Sequence, residues 1–276
     1  MLDLKQPPSQ DRIYNKRFWR PPKNQNMIAI ISDIHANIEA LEAVIAEIFS
    51  RGIDEIWCLG DIVGYGPNPN ECVDTIMDHS SLAIMGNHDW ALLHEPVGFS
   101  KLATRSINLT KQMMDPPRSD DGKARKRLDY LSTRGKRTKK HGHMLVHASP
   151  AHALTEYVVP WEVEADQKKY KAMFERFNQY CFVGHSHLPC VITEDLRVTV
   201  PEDTGDAVTL GKKKAIINVG SVGQPRDGDN RACFAVLDDR TVRFVRVPYD
   251  KEKTGRKILE LDDEMEFLAN RLKEGR

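Results

Sequence analysis

Residues 27–61 read MIAIISDIHANIEALEAVIAEIFSRGIDEIWCLGD, and the change of pattern inside this stretch decides the fold class. Its first five residues are a short apolar run of strand type ending in Ser32-Asp33. From there Ile38, Leu41, Ile45 and Ile48 recur at helical spacing, and Gly52 supplies the stop. Residues 55–60, EIWCLG, return to strand type. Downstream, Asn68-Pro69-Asn70-Glu71 offers a cap, a proline at N1 and an acid at N3, opening a helix that runs to about Met77. Residues 81–86, SLAIMG, are a third strand. A β-α-β-α-β order calls for parallel strands joined by right-handed helical crossovers.

Working outward, the pattern predicts a helix over 100–114, an exposed loop at 116–122 and a short helix at 127–132. A strand at 143–147, a helix over 162–178 and a strand at 180–184 follow. The remainder is mostly β, with strands in 189–195, 214–220, 232–238 and 241–247, a hairpin at Asp238-Asp239-Arg240, and a final helix over 251–273. The expected architecture is one α/β domain over 27–276, two sheets flanked by helices. Residues 1–26, with four prolines and no period of 2 or 3.6, read as an N-terminal appendage, with Phe18 and Trp19 the residues through which part of it is expected to order.

Composition removes several classes. A chain of 276 residues with 40% hydrophobic and 29% charged side chains is neither disordered nor a disulfide-dense miniprotein. Forty basic and forty acidic residues cancel, so net charge names no partner. No apolar run approaches the length of a membrane span, and the first 26 residues lack the apolar centre of a signal peptide. Cys58, Cys72, Cys181, Cys190 and Cys233 are scattered without a C-x-x-C pair, which fits reduced thiols and a cytoplasmic location.

Chemistry gathers at the strand ends. The first strand ends in Ser32-Asp33-Ile34-His35, the second in Gly60-Asp61 and the third in Gly86-Asn87-His88-Asp89; later strands end at His147 and at Gly184-His185-Ser186-His187. Ligands of open α/β sheets bind beyond the carboxyl ends of the strands. Asp33, Asp61, Asn87 and the histidines are therefore expected on one edge. Without a cation the carboxylates repel and the imidazoles compete for protons, whereas divalent metal uses both as ligands. Seven donors exceed one tetrahedral site and suit two metals sharing a carboxylate. Glycines 60, 86 and 184 read as sharp turns before the donors. Singly, each fragment has a plainer reading: Asp33 a turn cap, Asn87 a turn residue, His147 a bonded strand end, His185 and His187 a polar loop. Their common placement favours metal.

The ordered set SDIHAN, LGDIVGYGPNP, MGNHD, VHASP and GHSHLP resembles the calcineurin-like metallophosphoesterase superfamily, and NVGSVGQPRDGD resembles a segment of its small bacterial members. The resemblance covers residues 27–273 and implies a four-layer αββα sandwich with two mixed sheets. It implies that Asp33, His35 and His187 hold one metal, that Asn87, His147 and His185 hold a second, and that Asp61 bridges them. Two metals about 3.5–4 Å apart share a water, lower its pKa toward neutrality and neutralise charge on a phosphoryl group. The hydroxide so formed is the expected nucleophile. His88 resembles the family's catalytic histidine, the acid for the leaving oxygen; the alternative is a structural imidazole bonded to Asp89, or one that Asp89 orients. Mixed imidazole and carboxylate donors favour Mn²⁺ or Fe, with Zn²⁺ also open, over Mg²⁺.

One departure narrows the substrate. Family members that dephosphorylate protein serine and threonine carry G-D-x-x-D-R-G and R-G-N-H-E. Here Tyr65 and Met85 stand where those arginines would be. Arginine pairing is the usual grip on a doubly charged monoester. A phosphodiester or small phosphomonoester therefore ranks above a phosphoprotein, with the protein phosphatase second and a non-catalytic scaffold third. Arg226 is a candidate for a replacement grip, unless Asp227 or Asp229 pairs with it. Asn37 is a substrate candidate whose competing role is to cap the helix from Ile38, and Tyr65 either lines the pocket or packs a turn. Pocket walls are expected from 92–125 and 150–165. Residues 123–140 hold nine lysines or arginines against Asp129 alone, a patch for nucleic acid or a merely solvated face.

Overall fold

Alternate residues of the first strand, β1 (Met27–Ile31), meet different partners. Ile28 and Ile30 enter an apolar cluster with Trp57, Leu59, Phe182 and Ile217, whereas Ala29 and Ile31 enter another with Leu41, Val44 and Ile48. That period of two is what a strand covered on both faces requires. The computed structural model describes residues 27–115 and 122–276; the appendage 1–26, with Phe18 and Trp19, and residues 116–121 of the expected loop lie outside the described residues.

After β1 come α1 (Ile38–Ser50), β2 (Glu55–Cys58), α2 (Pro69–His79), β3 (Leu82–Ala83), α3 (Asn87–Leu93), α4 (Lys101–Met114), α5 (Lys123–Ser132), β4 (Arg137–Lys140) and β5 (His143–Val146). The chain continues through α6 (Glu162–Ala165), α7 (Gln167–Phe174), β6 (Tyr180–Val183), β7 (Cys190–Thr193), β8 (Val198–Thr199), α8 (Pro201–Thr204) and β9 (Ala207–Thr209). Last are β10 (Ala215–Asn218), β11 (Ala232–Asp238), β12 (Thr241–Val247), α9 (Lys251–Leu261), a 3₁₀ turn at Asp263–Met265 and α10 (Glu266–Glu274).

Two six-stranded sheets result, ordered β3-β2-β1-β11-β12-β9 and β4-β5-β6-β10-β7-β8. Both are mixed. β1, β2 and β3 run parallel, and so do β5, β6 and β10, while the outer strands pair antiparallel. Tyr180 and Phe182 face the first sheet, and Cys181 and Val183 pack under Tyr170, Met173 and Phe174 of α7. Helix, sheet, sheet and helix are thus the four layers that the resemblance implied. No helix among the described residues is long and apolar enough to cross a membrane. All five cysteines are buried and free.

Several elements differ from the sequence expectation, each for a local reason. The helix expected over 162–178 is two helices, because Asp166 caps Lys169 and restarts the chain, and it ends at Phe174. The third strand is only two residues long: Met85 N–H turns away to Gly135 O, and α3 opens at once. The terminal helix breaks at Asp262, which accepts from Glu264 N–H and pairs with Arg105 of α4. β4 was hidden because its RTKK sequence has no apolar face; it is an edge strand on β5. Within the basic stretch, Arg127 pairs with Asp74, Lys140 with Glu55, and Lys136 lies over the Trp90 ring, so those three charges serve local contacts.

Candidate metal centre

The turns after β1 and β2 are zipped to one another. Asp33 N–H donates to Gly60 O, Ile34 and His35 N–H both donate to Asp61 O, and Ala36 N–H donates to Ile62 O. This ladder carries Asp33, His35 and Asp61 to one spot with no side-chain help. Asp33, His35, Asp61, His185 and His187 all have φ between 48° and 63°, the left-handed region that costs a residue with a Cβ. Five strained residues in one place mark a site held for chemistry rather than for stability.

Six of the seven expected donors form two groups: Asp33 with His35 and His187, and Asp61 with His147 and His185. Each group's ligand atoms lie within 4.8 Å of one another, and all six residues are buried. Asn87 joins the second, its Oδ1 3.0 Å from His147 Nε2. Asp61 stands between them. Its Oδ1 accepts from His88 N–H at 2.8 Å, and its Oδ2 lies 3.8 Å from His35 Nε2 and 3.3 Å from His147 Nε2.

The imidazoles are aimed by the backbone. Nδ1–H of His147 donates to Leu59 O at 2.9 Å, that of His187 to Gln224 O at 2.5 Å, and that of His35 to Val63 O at 3.3 Å. A carbonyl can only accept, so each contact puts a proton on Nδ1 and turns Nε2 inward, bare on His35 and His187 and shared with Asp61 on His147 until metal displaces its proton. His35 Nε2 and His187 Nε2 then face each other at 3.2 Å, and His185 Nε2 is buried without a partner. Two facing ring nitrogens and an orphaned third are an arrangement that a cation satisfies, so the residues fit divalent metal.

Ionisation tells the same story. Burial alone would raise Asp33 and Asp61, but the His187 imidazole beside Asp33 and the His147 imidazole beside Asp61 hold both well below the usual carboxylate range. Burial would lower His147, yet the Asp61 charge lifts it to about 9. Burial with the neighbouring His147 takes His185 down to about 3, and burial with His88 takes His35 well down. The cluster is anionic carboxylate and mostly neutral imidazole, which is ligand-ready.

Gly60, at φ +92°, makes the sharp turn expected of it. Gly86 and Gly184 do not; what they supply is space. A Cβ on Gly86 would overlap Asp61 Oδ1, and one on Gly184 would overlap Asp33 Oδ2 and Ser32 Oγ.

His88 lies at the pocket floor, its ring 4.8 Å from that of His35, 4.4 Å from Tyr65 and 5.0 Å from Phe99. Burial, opposed by Asp61, sets it to about 4. Asp89 does not touch it. That carboxylate accepts from Gly86, Ile62 and Val63 N–H and clamps the turn after β2 to the start of α3, and burial beside Asp61 raises it to about 7. The i, i+3 spacing of Gly86 and Asp89 resembles a capping box and was the available signal for that role.

A cavity of about 410 Å³ opens over the centre, walled by Tyr65, Val97, Phe99, Leu154, Tyr157 and Arg226. Val97, Phe99, Leu154 and Tyr157 come from the two stretches expected to wall it, 92–125 and 150–165, and Tyr65 and Arg226 from outside them. Tyr157 stacks on His185 at 4.2 Å. Tyr65 both lines the pocket and packs against the cluster of α9 and α10. Asn37 is not on the wall: its Oδ1 accepts from Ala40 N–H as the N-cap of α1 and from Thr254 Oγ1, and its Nδ2 donates to Gly223 O. The substrate role expected for it gives way to capping because every polar atom is spent inside. Asn37→Ala should therefore lower stability by about 1–2 kcal/mol, read by thermal unfolding, while KM stays put; a raised KM with unchanged unfolding would restore the substrate role.

Residues 27–241 match the calcineurin-like phosphoesterase superfamily domain. The chain belongs to the calcineurin-like phosphoesterase superfamily. An uncharacterized protein of Methanocaldococcus jannaschii is 39% identical over 257 residues, spanning 91% of this chain and 99% of that one. A crystal structure of a metallophosphoesterase from Sphaerobacter thermophilus superposes with TM-score 0.75 at 35% identity, covering 91% of this chain and 99% of the other. The symmetrical bis(5'-nucleosyl)-tetraphosphatase of Chromobacterium violaceum is 27% identical over 174 residues, 62% of this chain and 59% of its own length. This phosphoesterase is accordingly a hydrolase of phosphoric esters, from a family that depends on metal.

Proposed function

We propose that the chain is a binuclear metallohydrolase acting on a phosphodiester or small phosphomonoester, with its two ions Mn²⁺ or Fe, Zn²⁺ remaining open. The observation that carries this reading is the position of Asp61 Oδ2 between His35 and His147. Asp33, His35 and His187 would hold one ion and Asn87, His147 and His185 the other, with Asp61 shared. Such a pair supplies Lewis acidity that lowers the pKa of water and offsets charge on phosphorus. His88, on the pocket floor, is the acid placed for the departing oxygen, once the negative charge of bound substrate offsets the burial that holds it at about 4. Tyr65 and Phe99 flank that imidazole and keep bulk water off it.

An aromatic or nucleoside alcohol is the favoured leaving portion, because aromatic side chains face the cavity from both sides. The relatives named as symmetrical bis(5'-nucleosyl)-tetraphosphatases point the same way. A phosphoprotein fits less well. Met85 is buried and Tyr65 carries no charge, so neither can grip a dianionic monoester. A scaffold is disfavoured by the complete donor set. The buried thiols suit a cytoplasmic enzyme, and the basic stretch 123–140 is assigned no nucleic-acid role.

The test is chelation followed by reconstitution with Mn²⁺, Fe²⁺ or Zn²⁺ and assay on a bis-aryl phosphate, a mono-aryl phosphate and a phosphopeptide. Turnover should vanish on chelation, return with metal, and favour the aryl esters over the phosphopeptide by about tenfold or more, a difference of about 1.4 kcal/mol. Preference for the phosphopeptide would reverse the ordering. Activity indifferent to chelation and to His88→Ala would end the enzyme reading.

A further inference from the structure

Arg226 faces the cavity with a positive charge that no neighbouring carboxylate answers. The two acids next to it in sequence are taken: Asp227 pairs with Arg246, and Asp229 with Arg231 and Arg246. Arg226 instead donates from Nη2 to the amide oxygen Oε1 of Gln224 at 2.8 Å. From α10, far along the chain, Arg271 reaches the same oxygen with Nη1 at 3.3 Å. Both Nε atoms are buried without a partner, and neither guanidinium has an ion pair among the described residues. Two cations thus share one neutral oxygen at the edge of a phosphoester site. Burial and the charge of Arg226 both act against the Arg271 cation, so the pair lacks an anion that the chain does not supply.

The scissile phosphoryl group has the metal centre for its charge. Arg226 on the cavity wall and Arg271 behind it, joined through Gln224 and answered by no acid, match a further phosphoryl group, which arginine takes through charge-assisted hydrogen bonds. We propose that Arg226 and Arg271, joined through Gln224, form a subsite for a second phosphoryl group, so that the substrates are organic di- or polyphosphates. This rests on the phosphoesterase reading and narrows it. Arg226 touches the bound group from the pocket wall; Arg271 adds charge behind it and fixes its orientation through the shared amide.

The probes are methylenediphosphonate and methylphosphonate, titrated calorimetrically into the Mn²⁺-loaded full chain in excess Mn²⁺, so that chelation is common to all variants and cancels when their preferences are compared with one another. The wild type should prefer the bisphosphonate by about tenfold or more, and Arg271→Gln should cut that preference to about threefold or less. Arg271→Lys keeps the charge and should retain most of it. Gln224→Glu keeps both arginines and places a carboxylate between them. It should raise the unfolding temperature, since it answers the unpaired charge, and lose the preference for the same reason. A structural role for the pair predicts the higher unfolding temperature with the preference intact, which would overturn the proposal. So would an unchanged ratio in a folded Arg271→Gln. Hydrolysis of bis(4-nitrophenyl) phosphate by the wild type separates the two readings: without it the phosphoesterase reading fails, and with it an unchanged ratio removes the subsite alone.

Discussion

Asp61→Asn should reduce kcat by about 10³-fold and weaken metal binding by at least about 10²-fold, with the backbone fold retained. Asn keeps the shape and still offers Oδ1 to His88 N–H, but it removes the negative charge between the two histidine groups. A ligand to one ion would cost one ion. A shared ligand costs both, so metal analysis of the purified variant should show the two lost together. Retention of one tightly bound ion per chain would contradict the shared role. The metal-free protein gives an independent reading. There His147 is raised to about 9 by the Asp61 charge in spite of burial. Remove that charge and burial prevails, so the imidazole should titrate below 6.5 by NMR. The sign for stability follows. A raised imidazole contributes stability fully below its unfolded value near 6.5, and the contribution is lost as pH climbs through about 9. Metal-free wild type should thus lose stability across that window, whereas Asp61→Asn should show no such decline. Metal affinity should rise over the same window, because His147 must release its proton to bind.

Where apolar residues kept a period, the chain was legible. β1, α1, β2, α2, β5, β6, β11 and β12 were readable because each buries one or both faces and must show it. The donors were legible for a related reason: parallel strands deliver their carboxyl ends to one edge, so a polar residue after each apolar run is placed without any tertiary knowledge. What remained hidden had no such periodic trace. β4 pairs through backbone alone, and its RTKK side chains read as surface charge. α3 begins inside the MGNHD stretch, where the ligand reading concealed the helix. Asp89 is spent on three backbone N–H groups, a task that depends on two loops meeting. Arg271 lies in a helix whose pattern describes only its buried side, and its distance from Gln224 is a tertiary fact. The left-handed backbone of five donors is equally invisible, since aspartate and histidine are chosen there for their side chains against their backbone preference.

Gly184→Ala should cost about 10²-fold in activity together with about 1–3 kcal/mol of stability, although it adds one methyl group. The added carbon would overlap Asp33 Oδ2 and Ser32 Oγ and lie 2.8 Å from Ser32 Cβ. None of these can step aside, for Ser32 and Asp33 are wholly buried. Asp33 is further tied to this segment, accepting His185 N–H at 3.0 and 3.2 Å. Relief must come from the backbone, which moves His185 and Asp33 apart, and these belong to different donor groups. Activity should therefore fall further than stability. Ser32→Gly in the same chain removes the serine overlaps and leaves the one with Asp33, so it should recover unfolding temperature more than turnover. The same substitution elsewhere has the opposite sign. At Gly255, inside α9, an added Cβ would meet Ala269 Cβ at 3.7 Å, an ordinary contact, and Gly255→Ala should stabilise by about 0.5–1 kcal/mol. Thermal unfolding and aryl phosphate turnover of the three variants together check the argument. If Gly184→Ala proved as active as wild type, the turns after β1 and β6 would be looser than their overlapping atoms allow, and the site could not be held by close approach of the chain.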